Sequence, residues 1–202
     1  MPFTTIFALN TIEMKLKGRL LLFASLLVVL ATASKLFFAP KIEWSGFSPI
    51  IAIALFSGMV VGNKRKSFLY PLVALFLSDV IIQILYLTNL FPFAGFYSFQ
   101  LLNYFLLLIS VFIGWALKGN NYMKIISGVF LSPTIFFIVS NFFVWATHGG
   151  YNRAMNFGGL IQCFVDGMPF YKNSLIATVI YIPVLIGLYN YVVEKSYRVT
   201  LK

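Results

Sequence analysis

An ionisable side chain at the centre of a bilayer costs about 2.5–3.5 kcal/mol to insert, so a carboxylate inside an apolar run needs a physical reason. Asp79 is such a residue. It lies in the apolar run 68–87, about 16 Å along a helix that starts at Phe68. Gln83 follows one turn later on the same face. Two chemistries fit Asp79. Either it is protonated or bonded to a helix backbone or to Ser78, and holds a bundle together, or it handles a ligand or a proton. Amide and hydroxyl groups recur at related depths in other apolar runs: Asn103, Asn141, and Asn173 with Ser174 and Thr178. An interhelical hydrogen bond, about 0.6 kcal/mol on average, explains any one of them. Their shared depth points instead to a polar cavity open to one face of the membrane. The expected small-molecule site comprises Asp79, Gln83, Asn103, Asn141 and Asn173, with Trp44, Trp145 and Phe157 giving apolar contact at the rim. Its four amides should converge on one enclosed volume of at least ~300 Å³.

Other chemistry is poorly provided for. The chain has one Cys, Cys163, and one His, His148, so neither a disulfide nor a Cys/His metal cage can form within it. His148 has no second His or paired carboxylate near it and reads as an interfacial residue. There is no Walker A loop, HExxH or GxSxG. We therefore expect no enzymatic activity, no metal and no cofactor, and exclude an ATP-driven pump in one chain.

The elements that must position these groups follow from composition. Of 202 residues, 60% are hydrophobic, 18% aromatic and 10% charged, and mean hydropathy is +0.92. Soluble domains run at about 45–50% apolar and 25% charged, so we expect an all-α integral membrane protein with a single domain over residues 1–202. The apolar runs give six spans: 20–39, 47–62, 68–87, 97–117, 123–148 and 173–193. The second reaches only ~24 Å and should be shielded by its neighbours. Pro71 falls in the first turn of the third span, where a missing N–H costs little, while Pro133 and Pro183 fall inside later spans.

Net charge is +10, but the cations lie in clusters between apolar runs, a topology signal and not a nucleic-acid footprint. Lys15, Lys17, Arg19, Lys64, Arg65, Lys66, Lys118, Lys124, Lys195, Arg198 and Lys202 fall on one side, against Lys35, Lys41, Arg153 and Lys172 on the other. The positive-inside rule then puts both termini in the cytoplasm. Lys15 to Arg19 followed by an apolar run also has the form of a cleavable signal peptide, but the apolar character continues through Ala39, further than such a segment needs.

The outer connections are 40–46 and a long segment from Gly149 to Lys172, which is either a lid or an interfacial stretch with aromatics at headgroup level. Ala54, Gly58 and Gly62 form a small-residue stripe on the second span, fit for helix packing within the bundle or for docking a separate membrane subunit.

The run Gly46–Gly58, with Tyr70-Pro71-Leu72, Leu77-Ser78-Asp79 and Met168–Leu175, resembles a family of uncharacterised bacterial membrane proteins assigned to transport, which are similar to the substrate-binding (S) components of ECF transporters. The resemblance runs from about Lys35 to Leu188. It implies a six-helix S-component-like bundle with a loop-capped cavity near the outer face. In S components the energising membrane subunit and its ATPases are separate chains, docked through an Ala-xxx-Ala pattern on the first helix. Here Ala24 is followed four residues on by Val28 and Ala31 by Lys35, and the small stripe is on the second helix.

The leading expectation is a transport protein of the bacterial inner membrane that binds a vitamin-like or other micronutrient small molecule for uptake. Membrane lipid surrounds it, an energising subunit with ATPases is a conceivable partner, and nucleic acid is not. The alternative is a non-transporting membrane scaffold or assembly subunit.

Overall fold

The computed structural model describes residues 3–148 and 152–193, with side chains from Met14 onward. Among these residues the chain is all-helical: α1 (Phe3–Phe38), a 3-10 turn (Ile42–Trp44), α2 (Ile50–Val60), α3 (Lys64–Leu87), α4 (Gln100–Ala116), α5 (Tyr122–Ala146) and α6 (Phe157–Val193). Gly149 to Tyr151 and the basic residues Lys195, Arg198 and Lys202 lie outside the described residues. Four segments are long and apolar enough to cross a membrane: Met14–Phe38, Lys64–Leu87, Tyr122–Ala146 and Phe157–Val193. Helices of this length and composition are those of a membrane protein. Large apolar side chains such as Leu21, Phe105, Phe130 and Ile180 stand exposed around the bundle, far more than a water-facing surface carries.

Local sequence sets the helix ends. Pro40 disfavours helix at the residue before it, and α1 stops at Phe38. Asn63 caps α3, its side chain accepting from Lys66 N at 3.2 Å; Asn121 caps α5 in the same way, from Met123 N at 2.8 Å. Because α3 begins at Lys64, Pro71 lies two turns inside the helix and not in its first turn. The expected long connection after α5 is also corrected. From Phe157 onward it is helix, continuous with the last span and running through Pro169 and Pro183.

The second apolar run yields a helix of 11 residues, shorter than the span read from sequence. Every residue from Ile51 to Met59 is buried, so α2 is enclosed by its neighbours as its shortness requires. Phe23 of α1, Phe56 of α2 and Tyr189 of α6 pack edge to face or tilted, with ring centroids 5.3–6.0 Å apart. Ala54 packs with Leu75, Leu107 and Val111, joining α2 to α3 and α4.

The small-residue stripe acts inside the bundle. Gly58 and Gly114 face each other where α2 crosses α4: a Cβ on Gly58 would overlap the Val111 carbonyl oxygen and come within 2.9 Å of the Gly114 Cα. With lipid as solvent, helices gain little by hiding apolar area from each other, so close backbone approach through small residues carries much of the association. Gly62 lies beyond the end of α2 with nothing within 4 Å of its Cβ position. Gly58→Ala should therefore destabilise the protein by about 1–3 kcal/mol, because its methyl meets backbone that has no rotamer to yield. Gly62→Ala should leave stability nearly unchanged. Thermal unfolding of both variants in detergent checks this; equal midpoints would refute the backbone contact.

Candidate binding site

Asp79 occupies a different depth from the one its sequence position suggests. With α3 starting at Lys64, it is about 22 Å from the start of the helix and ~12 Å from its end. This places it towards the end of the bundle that carries the α1–α2, α3–α4 and α5–α6 connections. Its carboxylate is 2% exposed and forms an ion pair with Lys35, from the last turn of α1. Lys35 Nζ also donates to Ser78 Oγ at 2.9 Å. The second carboxylate oxygen accepts from Gln100 Nε2 and, at 2.7 Å, from the Tyr104 hydroxyl. Gln100 and Tyr104 stand four residues apart at the start of α4, so one face delivers both. Asp79 of α3 is thus held by a cation from α1 and two neutral donors from α4.

Two of its members, Lys35 and Asp79, form part of the wall of a cavity of about 650 Å³. Ile50, Ile51, Leu75, Ile82 and Phe136 give it an apolar body, while Tyr97 and Asn103 add polar groups. Its roof comes from the α1–α2 connection at Ser45 and Gly46 and from the α3–α4 connection at Phe91 to Gly95. Gln83 secures that second loop: its Oε1 accepts from Gly95 N at 3.0 Å and Phe96 N at 3.2 Å. Gly95 sits so close to α3 that a Cβ there would overlap the Asp79 carbonyl oxygen and lie 2.6 Å from Gln83 N. The loop therefore approaches backbone to backbone beside Asp79.

The four amides expected to converge do not. Asn103 lines the cavity and donates to the Tyr97 hydroxyl. Gln83 fastens the roof loop. Asn141 donates to Phe137 O at 2.9 Å within α5 and abuts Gly167 of α6. Asn173 donates to Glu43 O at 2.8 Å and Ser45 O at 2.9 Å, clamping α6 onto the α1–α2 connection. The aromatic rim is similarly dispersed. Trp44 packs on Phe38 and Phe47, Trp145 Nε1 donates to Ala154 O at 3.0 Å, and Phe157 is 76% exposed. Of the expected set, only Asp79 and Asn103 line the cavity. Near the start of α6, Arg153 makes a two-point bond to Asp166 at 2.7 and 3.0 Å, outside the cavity.

Sequence reading missed Lys35, Gln100, Tyr104 and Tyr97. By charge pattern alone Lys35 reads as one of the four cations of the outer face. The signal was its position inside the apolar run 20–39, where a cation needs a counter-charge. Gln100 and Tyr104 carried a weaker signal, their spacing of four.

Removing one member of a buried ion pair leaves the other uncompensated, at a cost of about 3–5 kcal/mol. Lys35 borders the cavity and is 23% exposed, so Asp79→Ala should fall at the low end, about 3 kcal/mol. The double change Lys35→Met/Asp79→Asn removes both charges, keeps an acceptor for Tyr104 and should recover most of that loss. Unfolding midpoints of the single and double variants decide it; a double variant as unstable as Asp79→Ala would show that the charges are not coupled.

No curated protein and no solved structure is found to match the chain, and no transporter or S-component homology is shown. One family does match, over residues 15–200, under the description "Family of unknown function (DUF6580)". A match over most of the chain's length settles membership: the protein belongs to the DUF6580 family.

Proposed function

We propose that this protein binds a small molecule in the roofed cavity and serves its uptake across a bacterial inner membrane. The observation that supports this is the cavity itself. It is an apolar volume within the roughly 300–1,000 Å³ of small-molecule sites, with a few polar groups gathered on its wall. In this reading all six helices belong to the membrane domain, with α2 and α4 shielded by longer neighbours, and the cavity faces outward. The cation clusters support that orientation, since Lys15, Lys17, Arg19 and Lys64 to Lys66 belong at the opposite end from Lys41. The resemblance to S components agrees with a loop-capped outer cavity. Docking to an energising subunit with ATPases would use a surface other than Ala54 and Gly58, which face α4.

A scaffold or assembly role is the second reading. It is favoured by the dispersal of Gln83, Asn141 and Asn173 into separate structural contacts.

Two measurements test the proposal. In a background with Cys163 replaced by Ala, a cysteine at Lys41 should react with an impermeant maleimide added to whole cells, and one at Arg65 should react only after lysis. The reverse pattern overturns the orientation. Native mass spectrometry of gently purified protein should then detect a non-covalent small molecule at one per chain, depleted in Lys35→Met/Asp79→Asn. Wild-type protein without any such adduct would hand the lead to the scaffold reading.

A further inference from the structure

The polar wall of the cavity has a defined hydrogen-bonding character, and it restricts what can bind there. The argument rests on the binding reading above and deepens it to a ligand class. An ammonium has three donors. Lys35 directs one to Asp79 and one to Ser78, and among the described residues the third has no protein partner. The Lys35 side chain is 23% exposed and borders the cavity. Asp79 differs: at 2% exposure, and already accepting from Lys35, Gln100 and Tyr104, its carboxylate presents little to a ligand. Tyr97 accepts from Asn103, which leaves its own hydroxyl proton free to be donated. The ion pair thus shows the cavity a donor while contributing no net charge.

Charge balance narrows the class further. A cation entering this apolar volume would meet the Lys35 ammonium with Asp79 already neutralised. An anion would compete with Asp79 for the same ammonium and leave one carboxylate-like charge uncompensated, which is costly in low dielectric. A neutral acceptor satisfies the third donor and disturbs neither charge. Most of the remaining wall is apolar, with Ile50, Ile51, Leu75, Ile82 and Phe136 in it, and favours an apolar body; Ser48, Asn103 and Ser174 add only uncharged polar groups.

We infer that the cavity takes an uncharged, largely apolar molecule whose one polar end is a hydrogen-bond acceptor such as a carbonyl, seated against Lys35 and Tyr97. Such a molecule could arrive as a solute or from the bilayer.

Four probes of one shape test this on the wild-type protein in nanodiscs: 2-acetonaphthone, 2-ethylnaphthalene, 2-naphthoate and 2-naphthylmethylammonium, with affinities from calorimetric titration. The ketone should bind about ten-fold or more tighter than each of the others, the worth of one hydrogen bond to a charged donor. In Lys35→Met/Asp79→Asn its advantage over the hydrocarbon should fall several-fold, to what the Tyr97 hydroxyl alone supplies; an undiminished advantage overturns the assignment to Lys35. Tightest binding by the anion or the cation overturns the ligand class and leaves the binding reading standing. Saturable binding by none of the four overturns both. Displacement of the ketone by dioleoylglycerol in the nanodisc supports a source in the bilayer, and absence of displacement supports a solute.

Discussion

A carboxylate within the apolar bundle must be neutralised, and the way Asp79 achieves this organises the roofed end of the protein. Its counter-charge comes from α1, and its remaining acceptor capacity is filled from α4. Three helices are therefore fixed relative to one another by one side chain of α3. Such an arrangement is weak evidence for stability, since desolvating two charges offsets much of their attraction. Its effect is on geometry: Asp79 finds its full set of partners only when α1, α3 and α4 hold this register. The roof loop belongs to the same unit, because Gly95 touches the α3 backbone at Asp79 and Gln83 holds the loop one turn further on.

The remainder of the bundle is held by contacts of another kind. The Phe23, Phe56 and Tyr189 rings bind α1, α2 and α6 with large apolar area and favourable edge-to-face geometry. At the α2–α4 crossing the contact is backbone on backbone through Gly58 and Gly114. At the roofed end, Asn173 and Ser174 of α6 bond to the carbonyls of Glu43, Ser45 and Gly46, groups of an irregular segment that would otherwise lack partners. The polar side chains of this protein mostly bond to backbone, either of their own helix, as Thr134 and Thr178 do, or of a connection, as Gln83 and Asn173 do, which is why so few of them reach the cavity.

The sequence made the class of fold legible because composition and apolar run length are direct consequences of the bilayer as solvent. The enclosure of α2 followed from its shortness, and the small stripe correctly marked Gly58 for close packing, although nothing singled out its partner Gly114. Position along the chain was legible and direction was not. Whether the amides of Gln83, Asn103, Asn141 and Asn173 turn towards a cavity or a neighbouring carbonyl depends on helix rotation, which run length does not encode. The pairing of Lys35 with Asp79 was missed because charge was read for topology alone. A cation three residues from the end of α1 serves equally as a membrane-edge marker and as the counter-charge of a carboxylate on another helix. The segment Gly149 to Lys172 was read as a connection because it lies between two apolar runs, whereas from Phe157 it is helix and continues across Pro169 into the last span.

The enclosure of α2 bears on how the bundle is assembled. Eleven residues of helix extend about 16 Å, roughly half of the ~30 Å hydrocarbon thickness. A segment of that length cannot span the hydrocarbon on its own, and nearly all of it is enclosed by the bundle. Only residues 61–63 separate it from α3, which is long and apolar enough to cross a membrane where α2 is not. The apolar faces that enclose α2 belong to helices both before it and after it in the chain, so α2 reaches its buried position only when α1, α3, α4 and α6 are all in place.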